Sequence, residues 1–250
     1  MPDPVVPFYL DWKFWSFFTA ALALLLSQLP PIHHWFRSSK IVVDTYTMIH
    51  VTHKIGNPNA QLQLSVRNTG RRTVRILGLE LRFKRGDSVF VLPAINAAEL
   101  QNDRPVMLGS FRLKVDEEWS RIVNFFPILS RQDDRSLRLA MSQIRADIVS
   151  KRAGLPQNAP EVAADQAVVA PLLAMFNSKF CWLPGEYDLD LVVKTEPAGV
   201  ADTMRLRFTL FESDSDEMEK YAEKYQFGYD LLMNHADHQG ILANISPRSA

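Results

Sequence analysis

The sequence predicts a mainly β protein: an antiparallel sandwich held to a membrane by one amino-terminal helix. Three observations point there. The run Phe14–Ile32 carries no charged residue. Beyond it, short stretches alternate apolar and polar residues with the period of two that gives a strand one buried face. Gly, Asn, Asp and Pro turn signals separate those stretches. With 250 residues, 47% hydrophobic and 22% charged, the chain has room for one span and one sizeable core.

A bilayer core about 30 Å thick needs roughly 20 apolar residues, and a helix over residues 7–29 meets that length. Pro7 suits a first helical position and Pro30-Pro31 end the helix. Phe8, Tyr9, Trp12 and Trp15 at one end and Trp35 and Phe36 at the other sit where aromatic belts form. A cleaved leader fits poorly, because the start is Pro-Asp-Pro and no small-x-small site follows. Residues 1–36 are thus read as a single-pass signal anchor and 37–250 as the soluble domain. Arg37 and Lys40 follow the span while Asp3 and Asp11 precede it, so the positive-inside rule places the domain in the cytoplasm. A lone cysteine, Cys181, fits a reducing compartment.

The domain opens with Ile41–Ile55, a β-branched run that predicts a long strand bent midway. Gly56–Asn59 turns it. Leu62, Leu64 and Val66 then alternate with Gln61, Gln63 and Ser65. Asn68-Thr69-Gly70 reads as a hairpin turn to a partner strand with Leu77, Leu79, Leu81 and Phe83 inward. Gly86-Asp87 turns again, into Val89–Leu92, and Val106–Val115 supplies a further strand.

At Asp116 the pattern breaks. Trp119, Ile122, Val123 and Phe126 share a helical face that Pro127 terminates. Ser130 with Asp133 resembles a capping box for a helix whose stripe is Leu137, Met141, Ile144 and Ile148. A third helix over 162–176 carries Pro171 inside it, so the reading for 116–179 is a helical insertion, with Pro156–Asp165 as a flexible loop. Strands return with Tyr187, Leu189, Leu191 and Val193, then Leu206, Phe208 and Leu210. An acidic start at Ser213–Glu217 opens a carboxyl-terminal helix over about 214–228. Six or seven such strands favour an immunoglobulin-like antiparallel sandwich over a parallel α/β sheet.

Lys plus Arg equals Asp plus Glu at 28 each, so no global field recruits nucleic acid. A local basic cluster, with Arg67, Arg71, Arg72 and Arg75 at its heart, is a candidate anion site set against the plain reading of a solvated hairpin face. His50 and His53 lie three apart on a strand and point to opposite faces. His235, Asp237 and His238 lack further ligands at recognisable spacing, so no metal and no cofactor is expected. Cys181 between Phe180 and Trp182 reads as a buried thiol, and no nucleophile, phosphate-loop or dinucleotide motif occurs. Function then falls to recognition: a membrane-anchored, non-enzymatic protein that binds a protein partner and can form homo-oligomers. Trp119, Phe125 and Phe126 are its candidate anchors. The second reading is a ligand-gated membrane effector sensing a phosphorylated small molecule through the basic hairpin.

Overall fold

The computed structural model describes residues 12–28, 40–99, 102–156, 159–231 and 240–248. Helix α1, Trp12–Gln28, has 17 residues. Its length of about 25 Å is shorter than the span read from the sequence. Among the described residues no helix is long and apolar enough to cross a membrane. Residues 7–11 and 29–36 of the predicted anchor lie outside the described residues. The side chains described in α1 are exposed all round it except Ala21, which is half-buried.

The domain is an antiparallel β structure of twelve strands with a few helices. Strands β1 (Ile41–Thr45) and β2 (Met48–Lys54) are the two halves of the bent first strand. Both pair with β3 (Asn57–Asn68), β1 against Leu64–Asn68 and β2 against Asn57–Gln61. The turn between β2 and β3 is tighter than expected: Ile55 and Gly56 both take positive φ, 53° and 76°, and Asn57 already belongs to β3. This is the backbone a two-residue hairpin requires.

The predicted pairing of β3 with β4 (Val74–Arg85) does not occur. Strand β3 lies between β2 and β8 (Glu118–Phe125), whereas β4 lies between β5 (Ser88–Glu99) and β9 (Gly185–Glu196). Residues 69–73 therefore cross from one layer to the other. Asn68 supports this crossing: its buried side chain donates to Arg72 O at 2.8 Å and to Leu113 O at 3.0 Å, and accepts from Gly70 N at 2.9 Å. A bulge between Ile76 and Gly78 then shifts the inward set from Val74 and Ile76 to Leu79, Leu81 and Phe83. Leu77, expected inside, is 48% exposed.

The two-residue turn at Gly86-Asp87 leads into β5, whose first half pairs with β4 and whose second half pairs with β8. This one strand thus joins both layers. Strands β6 (Asn102–Met107) and β7 (Phe111–Leu113) divide the single strand expected there. Strand β10 (Met204–Leu210) closes a hairpin with β9 as predicted. Two short strands that the sequence reading did not find, β11 (Ile241–Asn244) and β12 (Ser246–Pro247), edge the two layers on β2 and β10.

The stretch 118–125, expected as the first helix of the insertion, is β8. Its apolar residues fit both periods. Val123 and Phe125 point inward two apart, and pairing with β3 and β5 decides the conformation. The helical insertion therefore begins at α2 (Arg131–Arg152) and ends with α3 (Gln166–Lys179). Ser130 caps α2, its hydroxyl accepting from Asp133 N at 3.1 Å. Helix α3 runs through Pro171, which lies on its exposed side. Lys179 joins the two helices by an ion pair to Asp133, 2.8 Å long. Helix α4 (Glu212–Lys220) continues into a 3-10 helix, Tyr221–Phe227, closed by Gly228 at φ 82°.

Two apolar clusters result. The first lies between the sheet layers and is centred on Trp182, Tyr187, Phe83 and Phe208. The second gathers Leu137, Ile144 and Ile148 of α2 and Leu172 and Phe176 of α3 with Tyr221 and Tyr225. His53 lies where the two meet. It is 1% exposed, edge-on to Phe176, Phe180 and Tyr221, and its Nε2 stands 2.9 Å from Met218 O.

Candidate functional site

The basic cluster does not form one patch. Arg67 sits on β3 opposite Glu118. Arg75 sits on β4, 3.5 Å from Glu196 and 3.0 Å from the Ser110 hydroxyl. Arg71 and Arg72 are exposed on the crossing segment between layers. Farther along β4, Arg82 and Lys84 stand opposite Asp190 and Asp188 of β9, which in turn face Arg205 and Arg207 of β10. The outer face of this layer is thus an acidic column between two basic ones, an arrangement that stabilises a sheet by cross-strand pairing. Glu80, 7% exposed, contacts both Arg82 and Lys194. Burial raises its pKa, but hydrogen bonds and charge from Lys194 and Arg82 outweigh burial and hold it below the ordinary glutamate value.

The three aromatic candidates separate as well. Phe125 is 0% exposed and belongs to the inter-layer core, so it is not an anchor. Trp119 is half-buried and stacks on Phe111, ring centroids 4.8 Å apart. Phe126 leaves the core at the end of β8 and opens a cleft. Cys181 has its thiol pushed up to about 12 by burial, with the Arg85 charge opposing, so it carries negligible thiolate at neutral pH. His50 and His53 take opposite faces, and among the described residues no three His, Cys, Asp or Glu side chains converge to hold a metal ion. His235, Asp237 and His238 lie outside the described residues.

The cleft that Phe126 opens measures about 740 Å³ and lies where the sheet meets the helical insertion. Its floor is the run Phe126–Leu129, with Ile128 76% exposed at the lip. One wall is β2 and β3, contributing Lys54, Asn57 and Asn59. The other is the first turns of α2, contributing Arg131, Asp134 and Arg138. Asn57 fixes the floor, its side-chain amide donating to Pro127 O at 3.0 Å. Asn59 Oδ1 is enclosed and accepts no hydrogen bond among the described residues. Arg138 is held by Asp134 at 2.8 Å, and that hydrogen bond raises its pKa.

An apolar trough with a few polar groups and a cationic rim suits a bulky apolar group that carries negative charge beside it. Of these residues only Phe126 was singled out from the sequence. The signal for the rest was local: an apolar run interrupted by proline, lying between a strand and a capped helix, is more hydrophobic than a connecting loop needs to be. No protein-family model, no curated protein and no solved structure matches the chain.

Proposed function

We propose that this chain is a membrane-anchored, non-enzymatic interaction protein whose sandwich domain receives a protein partner in the cleft between its sheet and its helical insertion. Helix α1 supports the tether. A largely apolar helix whose described side chains are nearly all exposed has the character of a lipid-facing segment rather than of a domain surface. Arg37 and Lys40 on its carboxyl side favour a cytoplasmic domain.

The immunoglobulin-like reading is supported by connectivity. The order β2–β3–β8–β5 in one layer and β4–β9–β10 in the other is the ABED and CFG pairing of a constant-type sandwich. Tyr187, near the start of β9, directs its hydroxyl back to Leu183 O at 2.7 Å and Cys181 O at 3.0 Å, the geometry of a tyrosine corner. On such a frame, recognition belongs to loops and insertions.

The observation that carries the docking reading is the half-buried apolar floor Phe126–Leu129, with Ile128 exposed at its lip, beneath a cationic rim. A photo-cross-linking residue in place of Ile128, in the full chain in membranes, is expected to trap a protein. The same residue in place of Lys84, on the ion-paired outer face, is expected to trap none. Equal yields, or no adduct at Ile128, would remove the cleft as a docking surface.

A further inference from the structure

We infer that the occupant of the cleft is a second copy of this chain, which inserts Phe211 and lays the first two turns of α4 along α2. This rests on the docking reading above and names the partner. Phe211 is 63% exposed at the start of α4, an unusual position for so large an apolar side chain. It is followed by Glu212, Asp216 and Glu219, spaced i, i+4, i+7 on one exposed stripe. None of these three carboxylates has an ion-pair partner among the described residues.

The cleft carries the complement. Arg131, Arg135 and Arg138 repeat the same spacing along the exposed side of α2, where Arg131 and Arg138 line the cleft and Arg135 lies beside it, and Lys54 adds a fourth cation from the opposite wall. Within the described residues only Arg138 is paired, to Asp134. A stripe of carboxylates beside an exposed phenylalanine thus matches a stripe of guanidinium groups beside an apolar trough, and no ion pair joins the two stripes within one chain.

The inserted element is presented rigidly. Met218 is buried on the inner side of α4, and Ser215 there donates to Trp182 O at 2.7 Å. Asp214 accepts from Phe211 N at 3.0 Å and fixes the turn that displays the ring. A preorganised element loses little freedom on docking. Because cleft and inserted element are different patches, one contact leaves a free cleft and a free insert, which either meet reciprocally in a two-fold dimer or engage different neighbours head to tail.

The test uses the full chain in detergent, followed by sedimentation velocity. A cleft variant, Arg131→Glu with Arg138→Glu, changes only exposed side chains. An insert variant, Phe211→Ser, places a favoured capping residue at the helix start. Wild type is expected to assemble beyond the monomer, each variant alone to associate about tenfold or more weakly, and an equimolar mixture to regain a dimer, since one intact cleft and one intact insert remain per pair. A monomeric wild type, variants that assemble like wild type through α1 or another surface, or a mixture that stays monomeric each overturns the inference. The Ile128 adduct separates this from the parent reading. Mass of two chains supports both, a different protein keeps the docking reading and removes self-docking, and no adduct removes both.

Discussion

The Tyr187 hydroxyl closes the turn before β9 by donating to Leu183 O, with Cys181 O also in reach. Replacing it with phenylalanine keeps the ring stack on Phe208 but leaves Leu183 O short of a donor, while Cys181 O still accepts from Leu183 N at 2.9 Å. Tyr187→Phe is expected to cost about 1–3 kcal/mol in denaturant titration. Burial pushes this phenol up to about 12, as it does the Cys181 thiol. Groups with raised folded-state pKa values give stability that is complete below their unfolded values and lost as pH rises through the folded ones. Wild type should therefore weaken between about pH 9 and 12, and Tyr187→Phe with a shallower slope. An unchanged stability and slope would mean that this hydroxyl bears no load. Trp182 shows the same principle without a charge: it is fully buried, touches Phe83 and Phe90 edge-on, and places its indole N–H 2.6 Å from Thr52 O. That bond links the segment before β9 to β2 in the opposite layer.

At the scale of elements, the hairpin β2–β3 and helix α3 meet at Gly56. A Cβ there would lie 2.4 Å from Phe176 O, and φ is 76°. Gly56→Ala therefore cannot be accommodated by a side-chain rotation and is expected to cost more than about 1 kcal/mol. Since the clash is with α3, hydrogen exchange should rise first in α2 and α3, ahead of the sheet core; a uniform rise would place the coupling elsewhere. The same elements show what was legible in the sequence. Strands β9 and β10 and helix α2 could be read because one periodicity and one cap acted alone. The β3–β4 pairing misled because Asn68-Thr69-Gly70 has the chemistry of a hairpin turn, while the neighbour that β3 takes instead, β8, pairs with it across 51 to 65 residues of chain, from Arg67 with Glu118 to Ala60 with Phe125. Long-range pairing leaves no local signature. Phe126 could be picked from the sequence, but Lys54, Asn59 and Arg131 come from three elements that meet only in the folded chain.

On the proposed reading of the whole molecule, α1 and the cleft act together. A surface contact built on exposed charges and one phenylalanine holds at the concentrations of a detergent sample but weakens with added salt and dilution. Confinement to a membrane surface changes this by keeping copies at one height and restricting their tumbling, which raises their effective concentration without a new contact. The balanced charge, 28 against 28, sets no long-range repulsion between copies. Loss of the tether should therefore weaken assembly even though the cleft is untouched. Leu22→Arg with Leu25→Arg adds two charges to an exposed apolar helix, each costing about 2.5–3.5 kcal/mol near a bilayer centre. In a fusion with a carboxyl-terminal reporter that is active only in the cytoplasm, the wild-type chain should be active and remain in carbonate-washed membranes. The double variant should appear in the soluble fraction, melt at the wild-type temperature, and yield fewer two-chain adducts from Ile128 at equal expression. Continued membrane retention would mean that α1 is not the tether, whereas release with undiminished adducts would mean that the cleft binds tightly enough to need none.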